Sequence, residues 1–368
     1  MIVIAGIAVV HVIVFVLLTS VWNRIHVFRP SSLGDLKISV VVPVRNEAQN
    51  ILALLDDLAH QDHQTELFEV IVVDDHSEDQ TISLVKEFAR VTTINLRYVS
   101  LGNAYGKKAA ASLGVESATG EVILCTDGDC RVPSSWVRTY AAYFHKHEPK
   151  MVSGPVRMVG DRLFDVYQAL DFSSLIVFGA ATLQKGYAST CNGANMAYSK
   201  RAFLAVNGYT GNESVPSGDD EFLLQKIHDQ YPGEVHFMKS KDVLVSTSPK
   251  VTVGGFIQQR LRWLSKWRLH SSLWLKVASV YAFIDFISIF FMVYGIVAGW
   301  WPWLPVVLLI ALRWLAEGRY LLAASHFLEI SQCKRYWPVV SFVYPFYVLL
   351  LGFGSIFGRY SWKGRSYS

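Results

Sequence analysis

The run Glu121-Val-Ile-Leu-Cys-Thr-Asp-Gly-Asp-Cys130 is a short apolar segment, bounded by Gly120, that ends in two carboxylates one residue apart, Asp127 and Asp129. A run of this length and make-up reads as a buried strand. Two carboxylates at the C-terminal edge of a buried strand repel each other and lose hydration, which is costly unless a cation sits between them. A divalent metal holding a diphosphate meets that need, because hard cations take oxygen ligands and bridge phosphates. The plainer alternative is a polar turn after a strand.

Around this segment the chain is too apolar for an ordinary soluble protein. Of its 368 residues, 52% are apolar and 17% charged, against a charged share of about 25% in globular domains. The excess lies at the two ends. Residues 1–22 carry no Lys, Arg, Asp or Glu, enough to cross a hydrocarbon core of about 30 Å as one helix. A cleaved signal peptide would want a positive start and a small-residue cleavage site. Neither is evident, so a retained anchor over 1–23 is expected. From about residue 277 apolar and aromatic side chains dominate again, and the region 277–358 offers two or three spans. Residues 281–299 and 339–357 are good candidates. Residues 302–324 are weaker, because Arg313, Glu317 and Arg319 interrupt them; such charges sit near an interface or line a polar cavity. Trp300, Trp301, Trp303, Tyr336 and Trp337 cluster at segment ends, as an aromatic belt does.

Arg24, Arg29 and Lys37 follow the first span, and no charged side chain precedes it. The positive-inside rule then puts the N-terminus outside and residues 24–270 in the cytoplasm, at the cell (inner) membrane. The basic tail 359–368, with Arg359, Lys363 and Arg365, should also be inside. Three spans after the soluble part would put it outside, so one of the three is re-entrant or interfacial, or the rule fails here. The net charge of +4 is modest, and no nucleic-acid signature is present. Cys125, Cys130, Cys191 and Cys333 show no metal-ligand spacing and read as reduced thiols.

The middle of the chain alternates strand-like and helix-like segments. Residues 38–44, 69–73, 95–99 and 121–126 read as strands; residues 51–59, 81–89, 107–117 and 136–144 read as helices. Such alternation predicts an α/β domain with a mostly parallel sheet covered on both faces. Ligands of these sheets bind beyond the strands' carboxyl ends. Three of the ends carry polar groups: Arg45, Asn46 and Glu47; Asp74 and Asp75; Asp127 and Asp129. Each cluster alone is no more than a turn, but all three on one edge are better explained by a site. No Gly-x-Gly-x-x-Gly follows the first strand, which argues against a dinucleotide-binding domain.

Residues 37–270 resemble a family 2 glycosyltransferase with a GT-A-like, nucleotide-sugar-binding fold. Five motifs carry the likeness in the family's order: Val40-Val-Val-Pro-Val-Arg-Asn-Glu47, Val72-Val-Asp-Asp-His-Ser77, Gly106-Lys-Lys-Ala-Ala110, Thr126-Asp-Gly-Asp-Cys130 and Ser217-Gly-Asp-Asp-Glu-Phe-Leu223. A sixth, Gln259-Arg-Leu-Arg-Trp263, is similar to the Gln-x-x-Arg-Trp motif of membrane-bound members. The resemblance implies a catalytic domain over 37–250. In it Asp75 binds the nucleotide base, with Glu47 and Pro43 shaping the same donor pocket. Lys107 approaches the donor diphosphate, Asp127 contacts the ribose side, and Asp129 with Asp127 ligates Mn²⁺ or Mg²⁺. Asp220 is the implied catalytic base. The family usually shows Glu-Asp where this chain has Asp219-Asp220, so the shorter Asp219 bears on how the acceptor is positioned. Read without the resemblance, Asp75 fits an Asx-turn, Lys107 a solvated helix start, and Asp219-Asp220 an N-cap pair.

The stretch 255–276 reads as an interfacial helix. Arg260, Arg262, Lys266, Arg268 and Lys276 supply positive charge, and Trp263 and Trp267 lie four apart on one face. By resemblance Gln259, Arg262 and Trp263 stand at the acceptor end of the active site, where Arg262 also meets the donor diphosphate. Residues 161–178 form a second amphipathic stretch, with Asp161, Asp165, Gln168 and Asp171 opposite Leu163, Val166, Tyr167 and Leu170. It fits a core helix or a membrane-lying one. Asn192-Gly-Ala-Asn195 fits an acceptor-lining turn or a plain one.

The reading that follows is a membrane-bound, metal-dependent, inverting hexosyltransferase. It would move a sugar from a nucleoside diphosphate donor, UDP by the family's habit, to a lipid or lipid-linked acceptor at the cytoplasmic face. A processive polysaccharide synthase of the cellulose, hyaluronan or poly-N-acetylglucosamine type is the alternative; the few spans leave little material for a polymer channel. A non-catalytic sugar-nucleotide-binding membrane protein would have lost a metal or base carboxylate, and neither is lost.

Overall fold

Apolar runs of four to seven residues seed the larger part of the structure. The computed structural model describes residues 2–30, 34–211, 218–265, 273–357, 360–362 and 365–367. These divide into two units. One comprises Ile25–Val159 and Phe178–Ser248; the other gathers Met1–Arg24, Gly160–Val177 and Pro249–Ser368.

The first unit holds the strands β1 (Ile38–Val44), β2 (Phe68–Asp74), β3 (Asn95–Ser100), β4 (Val122–Cys125), β5 (Cys130–Arg131), β6 (Met151–Ser153), β7 (Val156–Met158), β8 (Met196–Ser199), β9 (Val235–Phe237) and β10 (Val245–Thr247). Seven of them form one sheet in the order β3-β2-β1-β4-β8-β6-β9. The first four are parallel, as is the β6–β9 pair; β8 runs antiparallel to both β4 and β6. This is the mostly parallel α/β sheet that the alternating pattern predicts. β2 is buried throughout and β1 everywhere except Pro43, as strands covered on both faces must be. The edge strand β3 is largely exposed and carries Asn95, Arg97 and Ser100, polar groups that discourage further pairing. A small second sheet has the order β5-β10-β7.

Helices cover the large sheet. In Ile51–Ala59 the buried residues Ile51, Leu54, Leu55 and Leu58 recur at helical spacing. Helix Lys107–Ser117 lies on β1 and β2 through Gly114, where a β-carbon would collide with Val41 and crowd Val73. That close approach sets Lys107, the helix's first residue, at the sheet's carboxyl edge. The buried Asn195 joins several elements. Its Oδ1 accepts from Trp136 Nε1 (2.9 Å) and Tyr140 OH (2.9 Å), and its Nδ2 donates to Pro155 O (2.8 Å) and Val243 O (2.7 Å). It is therefore a strut of the core, and the acceptor-lining reading of the 192–195 turn does not extend to it.

The other unit is built from helices. Ile2–Arg24, Leu273–Val297, Trp303–Leu328 and Cys333–Phe357 are 23, 25, 26 and 25 residues long, about 35–39 Å at ~1.5 Å per residue. Ile2–Arg24, Ser279–Val297 and Cys333–Gly354 are long and apolar enough to cross a membrane. All three C-terminal helices are continuous, so none of them is a re-entrant hairpin. Of the three charged residues that weakened 302–324, Arg313 and Glu317 point inward, while Arg319 is exposed. Trp303–Leu328 turns Leu304, Val307, Leu308, Leu312 and Leu315 outward and buries Arg313 and Glu317. Arg313 donates to both Asp285 oxygens (2.5 and 2.8 Å), and His11 lies between Asp285 (2.6 Å) and Glu317 (3.1 Å). Exposed aliphatic belts outside and paired charges inside are the arrangement a lipid environment demands.

The structure decides between the two readings of 161–178 and gives Arg260 of 255–276 a protein partner. Helix Leu163–Leu183 also passes the length and composition test for a span, but 72% of its apolar window is buried. Its polar residues Asp165, Gln168 and Asp171 are buried too, so it has no solvated acidic face. Gln168 bonds the Lys250 backbone, and Asp171 pairs with Arg260 (2.5 Å). In the stretch 255–276, the helix Val253–Ser265 buries Arg260 between the rings of Phe256 (4.7 Å) and Trp263 (4.1 Å). Arg260 thus answers Asp171 instead of lipid headgroups, because a buried carboxylate needs a buried cation. Lys266, Trp267 and Arg268 lie outside the described residues, as do Arg359 and Lys363 of the tail and Ser217 of the fifth motif.

Two substitutions test this packing. Asn195→Leu strands two side-chain donors and two carbonyls and should destabilise the protein by roughly 3 kcal/mol or more, read as a lower thermal midpoint in detergent. Asp285→Leu leaves Arg313 buried without its carboxylate and should cost roughly 3–5 kcal/mol by the same measurement; an unchanged midpoint would contradict the arrangement.

Candidate active site

The parallel pairing of β1, β2 and β4 brings three polar strand ends to one edge. Val44 lies beside Asp74 and Val41 beside Cys125. Because β8 runs against β4, with Met196 beside Cys125, the turn that precedes β8 arrives at the same edge.

After β1, Arg45 turns across to the β2 loop. It donates to the carbonyls of Asp75 (2.8 Å) and His76 (2.6 Å) and pairs with Glu78 (2.8 Å). The Asp75 N–H donates back to Val44 O (2.8 Å), and the Asp75 side chain is buried beside His76. Glu47 is buried; its N–H donates to Thr81 Oγ1 (2.7 Å) and its carboxylate accepts from Asn50 (2.8 Å). Glu47 also packs on the Asp-x-Asp turn, since a β-carbon at Gly128 would lie 3.0 Å from Glu47 Cγ. Pro43 stays within β1, half-buried. Asp129 is half-buried beside Cys130.

The centre of the site is Lys107. Its Nζ lies 2.6 Å from Asp127 Oδ1 and 3.2 Å from Asp219 Oδ2. Burial alone would push this ammonium down; the carboxylates of Asp127, Asp219 and Asp220 outweigh it and hold it well above the usual lysine range. Asp220 Oδ2 accepts from the Gly193 N–H (3.1 Å) and Oδ1 from the Glu221 N–H (2.8 Å). Gly193 is a close fit: a β-carbon there would lie 3.2 Å from Lys107 Nζ and 3.4 Å from Asp219 Oδ2. The cap of helix Asp219–Gln230 is Gly218 at φ 77, so Asp219 and Asp220 are first-turn residues and not the N-cap pair. Carboxylates in the first turn also meet the positive end of the helix.

The structure thus gathers Lys107, Asp127, Asp219 and Asp220, with Glu47 attached through Gly128. Asp75 and Asp129 reach the same sheet edge from their own strand ends. Gln259, Arg262 and Trp263 belong to the helical unit. There Gln259 Oε1 accepts from Arg260 (3.2 Å), Trp263 covers the Arg260 guanidinium, and Arg262 is half-buried. Arg45, His76, Tyr105 and Gly193 also build the site, and sequence patterns did not single out their contacts. Arg45 is legible as a strand-end polar group, Gly193 as part of the 192–195 turn and His76 as a member of the second motif; Tyr105 carries no such signal.

Asp127 and Asp129 offer hard oxygen donors on either side of a glycine. Among the described residues no group of three or more His, Cys, Asp or Glu side chains is arranged to hold a metal ion. The pair therefore fits a divalent cation that takes its remaining oxygens from a ligand, as Mg²⁺ does with one or two carboxylates and substrate phosphates. The neighbouring thiols offer no nucleophile: burial pushes Cys125 up to about 12 and Cys130 well above the usual thiol range. A cavity of about 320 Å³ runs along the Lys108–Ser112–Glu116 face of the helix and is closed by Tyr105, Asn207 and Tyr209. Lys107 and the three aspartates do not line it.

Residues 39–206 match the sequence profile of Glycosyl transferase family 2. The glycosyltransferase AglE of Haloferax volcanii is 33% identical over 100 residues, which are 27% of this chain and 33% of that protein. The undecaprenyl-phosphate 4-deoxy-4-formamido-L-arabinose transferase of Aeromonas hydrophila is 38% identical over 101 residues, 27% of this chain and 31% of that protein. The matches thus span about a third of these relatives' length. In structure, the mannosyltransferase PcManGT of Pyrobaculum calidifontis, solved with GDP-Man and Mn²⁺, superposes with a TM-score of 0.55 at 19% identity, over 96% of this chain and 99% of that one. The fold is GT-A-like, and residues 39–206 are similar to glycosyltransferase family 2.

Proposed function

We propose that the protein is a membrane-bound, inverting glycosyltransferase that uses a nucleoside diphosphate sugar, UDP-linked by the family's habit, and a lipid-linked acceptor. The observation that carries this reading is the meeting of Lys107 with Asp127, Asp219 and Asp220, residues that lie up to 113 positions apart in the chain. With no diphosphate present, the ammonium offsets the carboxylates. With a donor bound, the same ammonium is placed to offset charge that builds on the leaving diphosphate.

Asp127 and Asp129 would hold the divalent cation together with the donor. Such a cation supplies positive charge to the leaving group. Asp220 would take the acceptor hydroxyl's proton as that oxygen bonds to the anomeric carbon and the bond to the diphosphate oxygen breaks. One displacement inverts the anomeric centre, and the buried thiols have no part in it. Asp75 would hold the base with Glu47 and Pro43 behind it. Asp219 would position the acceptor.

A lipid-linked acceptor suits a chain whose helical unit exposes aliphatic belts, and the Aeromonas relative is named for undecaprenyl phosphate. The attacking oxygen of a prenyl phosphate carries no proton, so with that acceptor Asp220 would orient and not deprotonate. Under the positive-inside rule, the basic residues after the first helix favour a cytoplasmic site.

Purified protein with a panel of nucleotide sugars and membrane lipid extract should give one added sugar by mass spectrometry. The product should vanish with chelator and return with Mn²⁺ or Mg²⁺; no sugar transfer under any donor would overturn the reading. With a hydroxyl acceptor, Asp220→Asn should slow transfer by about 10²–10⁴-fold, and full rate would remove Asp220 as base. Lys107→Met should weaken donor binding and transfer together, by on the order of 10²-fold; retained activity would show that the ammonium only balances charge.

A further inference from the structure

We propose that His76 and Tyr105 are positioning residues for the base of the nucleotide donor. His76 fixes the Asp75 carboxylate, and Tyr105, backed by His76, presents the ring on which the base stacks. The inference rests on the reading of Asp75 as the base-binding carboxylate.

His76 stands at φ 57, a backbone region that glycine enters freely and a side chain with a β-carbon enters only under strain. Strain of this kind persists where the surroundings over-determine the conformation, and here they do. Arg45 holds the carbonyls on both sides of the Asp75–His76 peptide, and Ser77 N–H donates to Asp74 Oδ1 (3.1 Å). Both imidazole nitrogens face accepting oxygens, which the ring bonds at once only when each nitrogen carries a hydrogen. Nε2 lies 3.0 Å from Gly102 O, a group that only accepts, so this nitrogen carries a hydrogen. Nδ1 lies 3.3 Å from Asp75 Oδ1. The ring therefore spans from the buried carboxylate to the loop after β3.

On that loop, Tyr105 lies parallel to the imidazole, with ring centroids 4.2 Å apart and planes 19° apart. Tyr105 is nonetheless 63% exposed. A large aromatic ring held at the surface by a fixed neighbour, next to a buried carboxylate acceptor, has the two features that a nucleobase needs: a π-face and a partner for its N–H groups. Burial explains neither feature, since a core tyrosine would not stay exposed and a turn needs no imidazole.

The full-length protein in nanodiscs, with Mn²⁺, is titrated with UDP, GDP and pyrophosphate by calorimetry. His76→Gly suits the backbone and should leave thermal stability intact. It should weaken binding of the preferred nucleotide about tenfold and raise donor KM, with kcat within about twofold. Tyr105→Ala should weaken nucleotide binding by on the order of tenfold, and Tyr105→Phe should restore it. Pyrophosphate, which has no base, should bind all variants equally. Unchanged nucleotide affinity in His76→Gly and Tyr105→Ala would overturn the inference, as would equal weakening of nucleotide and pyrophosphate. If the unaltered protein binds pyrophosphate but neither nucleotide, the base-binding reading of Asp75 falls, and the inference with it.

Discussion

One ammonium among three carboxylates holds the carboxyl edge of the sheet together. Lys107 meets Asp127 and Asp219 directly and feels Asp220. Partly buried like charges would otherwise drive the strand-end turn and the helix start apart. The positions of β4, of helix Lys107–Ser117 and of helix Asp219–Gln230 therefore depend on one another through this contact.

Small residues make that contact geometrically possible. Gly114 lets the helix that begins at Lys107 lie against Val41, Gly193 leaves room beside the ammonium and Asp219, and Gly128 lets the Asp-x-Asp turn rest on Glu47. Each is a place where a β-carbon would push apart two of the elements that build the site. The apolar sheet beneath supplies the rigidity, and the glycines supply the proximity.

The helical unit obeys the opposite packing rule. Its long helices turn aliphatic side chains outward and bury His11, Asp285, Arg313, Glu317, Asp171 and Arg260 within ion-pair distance of one another's charges. In a sequence window, Arg313 and Glu317 count against a membrane helix. In the folded unit they are the reason that helix associates with its neighbours, because an ion in hydrocarbon must find its partner on another helix.

Hydrophobic period and motif order, both local properties, made the strand–helix alternation, the parallel sheet, the apolar ends and the order of the acidic strand ends readable in the chain. They failed where a side chain's role depends on a partner far away. Asp165, Gln168 and Asp171 looked like a polar face and are buried; Arg260 looked like a lipid anchor and answers Asp171. His76, a member of the 72–77 motif with no role read from it, bridges two loops. The sequence by itself determined which segments become strands and helices and which carboxylates end them, because backbone propensity and alternation act over a few residues. Only the tertiary structure decided that Lys107 lies among Asp127, Asp219 and Asp220. Charge pairing across such separations follows from how the sheet and its helices pack, and no local pattern encodes it.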